Sequence, residues 1–460
     1  MGGEWQLMTL KEAGVTLIDC IHKTPPDAGD GYPYIAIPQM KEGRIDFHAD
    51  PRLISESDFI EWTKKAYPQE NDVVLSRRCN PGETAHVPPR VRFALGQNLV
   101  LLRSDSKKVY PPFLRWLTKG FQWWNQTSKF LNVGAVFDSL RCADIPNFEL
   151  TIPPLPEQKA IAHILGSLDD KIELNRQMNA TLEAMAQALF KSWFVDFDPV
   201  IDKALAAGNP IPEPLHKRAE ARKALGDQRK PLPADIAQHF PDRFVFNEEM
   251  GWVPEGWEES TIGDEVEIMG GGTPSTKDAT FWEGGVHPFC TPKDMSTLGS
   301  IVLTDTIRHL TDAGVKKISS GQLPKGVVLM SSRAPIGYLA ISDVPVSVNQ
   351  GIIGMLPNQK YGSTYLLFWA HFNMGAIKDR ANGSTFLEIS KKNFRPIPFL
   401  VPAQELTEFF NEQVKGIYNK MLLLSEQVRE LSTLRDTLLP KLLSGQLRIP
   451  DAEKLIKETA

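Results

Sequence analysis

Two stretches of this 460-residue chain are written in the same helical code, although one lies at mid-chain and the other near the C-terminus. In the second, Phe410, Val414, Ile417, Met421, Leu424, Val428, Leu431 and Leu438 alternate spacings of four and three, and only Arg435 breaks the series. In the first, Ile161, Leu165, Leu168, Ile172, Asn175, Asn179, Leu182, Ala186 and Leu189 do the same, with two asparagines inside the apolar line. A narrow seam of this kind is the face that one helix offers to another in a coiled coil. A helix lying on a globular core usually needs a wider apolar stripe. The two seams therefore predict helices of roughly 35 residues and about 50 Å, packed against each other. A buried asparagine costs stability but fixes register and orientation.

The rest of the chain also repeats. "NDVVLSRRCNPGE" (71–83) pairs with "KGVVLMSSRAPIGY" (325–338), aligning Val73 with Val327. "YPYIAIPQM" (32–40) pairs with "VHPFCTPKDM" (286–295), and "GAVFDSLRCADIPNF" (134–148) with "GSTFLEISKKNFRPI" (383–397), aligning Phe137 with Phe386. The helix junctions "LPEQ" and "VPAQ" match as well. Four blocks in conserved order mark two copies of one unit, a globular domain followed by a long helix. Short β-branched runs such as "DVVLS", "NLVLLR", "GVVLM" and "GIIGML" read as buried strands. "PPFLRWLTKGFQWW" and "STYLLFWAHFNMGAI" read as helices packed on them. The expected fold class is α+β, with two similar domains separated by two long helices that form an antiparallel coiled coil with pseudo-twofold internal repeat. The expected boundaries are 1–152 for the first domain, 153–195 for the first helix, 196–250 for a linker holding a short helix ("EPLHKRAEARKAL"), 251–401 for the second domain and 402–460 for the second helix and tail.

Composition excludes more than it selects. A net charge of −5 gives no global attraction to nucleic acid, so any basic surface is local. The four cysteines have no CxxC spacing, which argues against structural zinc and suits a reducing compartment. No run reaches signal-peptide or membrane-spanning length, so a cytoplasmic protein with no membrane partner is expected.

At this point the motifs are recognisable. "PPLPEQKAIAHILGSLDDKIELNRQ" with "SWFVDFDPV", "VPEGWEESTIGDEVEIMGGGTPST", "SVNQGIIGMLPN" and "LRDTLLPKLLSGQLRI" resemble the specificity (S) subunits of type I restriction-modification enzymes, along nearly the whole chain. The resemblance implies a non-catalytic subunit whose two domains each contact one half of a bipartite site in double-stranded DNA. It implies helices that set the gap and dock two modification (methyltransferase) subunits, with restriction (nuclease/translocase) subunits joining them. It implies no cofactor on this chain, and S-adenosylmethionine, ATP and Mg²⁺ on the partners. The alternatives are a fused nuclease or methyltransferase, a coiled-coil scaffold, and a DNA-binding subunit of another phage-defence or stand-alone DNA methylation complex.

The residues agree that chemistry is missing. Asn80-Pro81-Gly82-Glu83 fails the Asn/Asp-Pro-Pro-aromatic pattern at its third and fourth positions. Gly270–Gly272 run into Thr-Pro-Ser, without a phosphate-cradling loop. Asp169 and Lys171 have the D-x-K spacing of metal-dependent nucleases but no upstream acidic partner. Candidate DNA contacts are loop residues able to hold phosphates or read base edges. In the first domain these are Lys41, Arg44, Ser76, Arg77, Arg78, Asn80, Arg90 and Arg92. In the second they are Lys293, Lys316, Lys317, Ser331, Ser332, Arg333, Asn349, Gln350, Lys391 and Lys392. Trp123, Trp124, Trp193 and Phe194 follow apolar helical segments and read as packing rather than as base-stacking platforms.

Overall fold

The computed structural model describes residues 4–134, 138–226, 232–383 and 387–459. The proposed Phe137–Phe386 correspondence lies outside the described residues. The chain divides into two compact units, Met1–Lys171 with Glu430–Ala460, and Ile172–Arg429. Each unit thus owns one domain and a part of each long helix.

In the first unit an antiparallel sheet has the order Val15–Asp19, Leu99–Ser104, Val73–Ser76, Thr84–His86. Beside it, Tyr32–Ile35 pairs antiparallel with Arg52–Ile54 and parallel with Ala94–Leu95. Gln6–Thr9 pairs with Glu149–Ile152, the strand that leads into the first long helix. The Val73–Ser76 strand is buried at every residue, which accounts for its unalternated apolar sequence. The helix Pro111–Leu117 closes one face with Phe113, Leu114 and Trp116, all fully enclosed.

The second unit repeats this plan. Its sheet runs Ile268–Gly270, Ile352–Met355, Val328–Ser332, Ile336–Ser342, then a short added strand, Val302–Leu303. His287–Cys290 pairs antiparallel with Arg308–Leu310 and parallel with Ser347–Val348. Glu258–Thr261 pairs with Pro398–Val401. The registers correct the sequence alignment in two places. Ser76 faces Leu99 and Ser331 faces Ile352, so Val73 corresponds to Val328 rather than Val327. Ile152 and Val401 end equivalent strands, so Gln158 corresponds to Thr407, both fully buried, and the "LPEQ"–"VPAQ" match is displaced.

The long helices are Leu155–Phe194 and Gln404–Leu443. Within the second unit, Asn175 Nδ2 donates to Gln427 Oε1 at 3.2 Å and Asn179 Nδ2 to Ser425 Oγ at 3.1 Å, while the Phe190 ring lies 5.5 Å from Phe410. Residue numbers rise on one helix as they fall on the other, so the pairing is antiparallel. Within the first unit, Ile161, Leu165 and Leu168 share a core with Leu438 and Leu442. There the break in the seam finds its reason. Arg435 Nη1 lies 2.7 Å from Asp169 Oδ1, and Asp169 is only 3% exposed. Arg44 Nη2 and Arg115 Nη2 stand 3.4 and 3.7 Å from the same carboxylate. The D-x-K spacing of Asp169 is therefore part of a structural ion cluster.

The segment expected as a linker is more ordered than its prolines suggest. The helix Asp198–Ala207 buries Val200, Ile201 and Ala204 completely. The expected short helix is present as His216–Ala224 after a turn at Glu213–Leu215. Two arginines clamp these helices together. Arg218 Nε meets Asp198 at 2.7 Å, and Arg222 Nε meets Asp202 at 3.0 Å.

Burial pushes the Asp169 carboxyl up, but the Arg435 hydrogen bond with the Arg44 and Arg115 charges outweighs it and holds the group below the usual carboxylate range. A lowered folded value means that the ion cluster stabilises fully above the unfolded pKa, roughly 4, and that this is lost as pH falls through the folded value. Asp169→Asn should therefore lower unfolding stability near neutral pH, by about 3–5 kcal/mol as for other broken buried pairs. The gap from wild type should narrow below about pH 4. Urea titrations at several pH values measure both.

Candidate nucleic-acid interface

In the first domain the end of the Val73–Ser76 strand and the turn into Leu99–Ser104 enclose an open cleft of about 300 Å³, lined by His22, Arg77, Arg78, Gln97 and Asn98. Backbone pairing builds it. Arg77 N–H donates to the Asn98 carbonyl at 2.9 Å, and Gly82 N–H to the Ser76 carbonyl at 3.0 Å. Gly82 has φ +96°, and a Cβ there would come 2.6 Å from Thr127 Cγ2, so glycine is required for this tight return. At the edge of the cleft, His22 Nδ1 lies 2.8 Å from the Gln97 carbonyl and its Nε2 3.0 Å from Asp19 Oδ2.

The expected contact residues separate into those that can reach a duplex and those that cannot. Arg78 and Asn80 are exposed at the turn. Arg77 is 9% exposed and lines the cleft, with Nη1 3.4 Å from the Leu140 carbonyl. Arg90 is exposed, and Arg92 lies over the rings of Tyr32 and Phe59 at 4.7 and 5.1 Å. Lys41 is exposed and paired with Asp46 at 2.8 Å. Ser76 is a correction: it is fully buried, and its hydroxyl donates to the Arg78 carbonyl. Arg44 is another, because the buried Asp169 holds its guanidinium.

In the second domain Arg333 is half-exposed beside Glu388, at 3.6 Å. Gln350 is exposed, and its Oε1 accepts from Thr273 Oγ1 at 2.7 Å. Asn349 Oδ1 accepts from the Gly351 N–H at 2.9 Å, which makes it a loop-shaping residue. Lys293, Lys316, Lys317, Lys391 and Lys392 are exposed, and Lys391 packs along Gly270. Ser331 and Ser332 are corrections. Both are buried, and the Ser331 hydroxyl accepts from the Gly337 and Tyr338 N–H groups at 3.1 and 2.8 Å. Trp123, Trp193 and Phe194 are enclosed in the cores; Trp124 is 39% exposed.

Sequence reasoning missed His22, Gln97, Asn98 and Thr273. The signal for Gln97 was present: "GQN" precedes one strand as "NQG" precedes its counterpart. Asp19, Cys20 and His22 also bring three potential metal ligands within 4.8 Å. Burial and the Asp19 charge push the Cys20 thiol up to about 12, so it stays protonated. His22 and Asp19 already satisfy each other. The arrangement suits phosphate and base contacts along two loop edges, one per domain.

Comparison with known proteins shows the family. A family model described as "Type I restriction modification DNA specificity domain" matches residues 3–184 and again 254–414. The chain is 30% identical over 381 residues to the type I restriction enzyme HindI specificity subunit of Haemophilus influenzae, covering 77% of this chain and 81% of that one. It is 22% identical to the putative type I restriction enzyme MjaX specificity subunit of Methanocaldococcus jannaschii, covering 97% and 94%. Among solved structures it is similar to a type I restriction-modification S subunit from M. genitalium, at 17% identity and a TM-score of 0.48, covering 95% and 96% of the two chains.

Ser331→Ala removes the acceptor of two partly buried amides, those of Gly337 and Tyr338. It should cost about 1–3 kcal/mol in a denaturation midpoint and leave the DNA sequence preference of the assembled complex unchanged.

Proposed function

Because the chain belongs to the family of type I restriction-modification DNA specificity subunits, we propose that it reads a bipartite site in double-stranded DNA, each domain taking one half. The observation that carries this reading is the twice-built strand plan, which presents Arg78 and Arg333 at equivalent strand ends. Exposed Lys and Arg on these loops supply phosphate attraction despite the acidic total, and polar side chains at the same edges supply base readout. The chain is not itself catalytic. Two modification subunits dock on it and bind S-adenosylmethionine, and restriction subunits that use ATP and Mg²⁺ complete the nuclease. The paired helices set the gap between the half-sites. Among the described residues no helix is long and apolar enough to cross a membrane.

Exchanging Gly263–Pro398 for the matching domain of a relative tests the modular claim. Sequencing of modified bases should show one half of the target changed and the other intact. A target changed in both halves, or in neither, contradicts the proposal. Arg78→Ala and Arg333→Ala should each weaken DNA binding by the complex. A phosphate contact would weaken all sequences alike and lower the salt slope by about one; a base contact would cost about 1–3 kcal/mol at one position.

A further inference from the structure

The two domains can be superposed on backbone hydrogen bonds alone. In the first, Arg77 N–H donates to the Asn98 carbonyl and Leu140 N–H to the Arg77 carbonyl, both at 2.9 Å. In the second, Ser332 N–H donates to the Gly351 carbonyl at 2.8 Å and Ile389 N–H to the Ser332 carbonyl at 3.0 Å. Arg77 therefore corresponds to Ser332, Arg78 to Arg333, Asn98 to Gly351 and Gln97 to Gln350. The flanking bridges agree, since Arg78 pairs with Ser139 as Arg333 pairs with Glu388.

Both glutamines are exposed, on loops fixed from behind. The Gln97 N–H donates to Tyr34 Oη at 3.0 Å, and its carbonyl accepts from His22 at 2.8 Å. Its side-chain amide has no partner among the described residues. The Gln350 loop is held by Asn349, whose N–H donates to the Cys290 carbonyl at 3.1 Å. Thr273 then orients the Gln350 amide through Oε1. The first cleft is also built to receive a polar group. Arg77 lines it, nine-tenths buried, and its Nε has no partner among the described residues.

A primary amide offers one acceptor and one donor side by side. In the major groove adenine alone presents the matching pair, the N6 amino group and N7. We propose that Gln97 and Gln350 are equivalent readers, each engaging an adenine at the same step of its own half-site. The proposal rests on the bipartite-site reading above. The next residue distinguishes the domains. The first has Asn98, whereas the second has Gly351, and a Cβ there would stand 3.2 Å from Arg333 Nε. Readout at the neighbouring step accordingly differs between half-sites.

The test uses the chain assembled with its modification subunits and duplexes carrying its own site, identified by modified-base sequencing. 7-Deazaadenine, which lacks the N7 acceptor, is placed at each adenine in turn. Wild type should lose affinity on the order of ten- to a hundredfold at one adenine per half-site. Gln97→Ala should become insensitive to that replacement in one half-site only, and Gln350→Ala in the other only. Variants that remain as sensitive as wild type, or that weaken all sequences alike with a shallower salt dependence, overturn the proposal. A wild-type complex with no preference for any gapped site would instead sink the parent reading.

Discussion

A buried acid paired with an arginine that interrupts a heptad seam is the constraint on which much of this structure depends. Arg435 stands at a seam position where an apolar residue would otherwise be, and meets Asp169, which neighbours the seam residue Leu168. Such a pair is not a strong source of net stability, because desolvation of both charges offsets their attraction. Its physical effect is selective. Any other register costs the buried Asp169 its 2.7 Å bond to Arg435 and leaves it only the more distant Arg44 and Arg115, whereas apolar knobs alone would tolerate a slip. Asn175 with Gln427, and Asn179 with Ser425, act in the same way further along the helices. The helices hold one alignment because their few polar residues have one set of partners.

The same cluster bears on the recognition surface. Arg44 and Arg115 are drawn to Asp169 and so are removed from the positive charge available to DNA. What remains is a set of loop-edge cations and amides, Arg78 and Gln97 in one domain, Arg333 and Gln350 in the other. On the proposed reading, a chain of net charge −5 meets a polyanion through such local edges rather than through its total charge. Rigid strands behind short loops suit base readout, because reading groups held in place lose little freedom on binding.

Much of this was legible in the sequence. The heptad seams, the tandem repeat and the buried strands are carried by local apolar spacing, and their long-range pairing follows from the need to bury it. The failures have physical reasons too. A strand buried on both faces shows no alternation, so nothing in "VVLS" or "VLMSS" says that Ser76, Ser331 and Ser332 face inward. Arg44 reads as a free loop cation in the sequence because its partner, Asp169, lies far along the chain. The short helix at 216–224 is expected from the sequence, whereas the helix at 198–207 is hidden by prolines and charges, and those charges form the Arg218–Asp198 and Arg222–Asp202 clamps. The "GQN" of Gln97 reverses the order of the "NQG" of Gln350, so the correspondence is faint in the sequence and plain in the hydrogen-bond register.

The central claim is that the helix pair fixes the gap between half-sites, and shortening it in phase tests this most directly. Asn175–Thr181 and the facing Leu422–Val428 form one heptad on each helix, and deleting both removes the Asn175–Gln427 and Asn179–Ser425 contacts together. The apolar seam stays in phase, and the pair shortens by about 10 Å at ~1.5 Å per residue. At ~3.4 Å per base pair this is roughly three base pairs, which also rotates the half-sites by roughly 100°. The assembled complex is then presented with a library of sites differing only in gap length, and the methylated members are sequenced. The account predicts that the preferred gap shortens by about three base pairs. A folded, active complex that still prefers the original gap would contradict it.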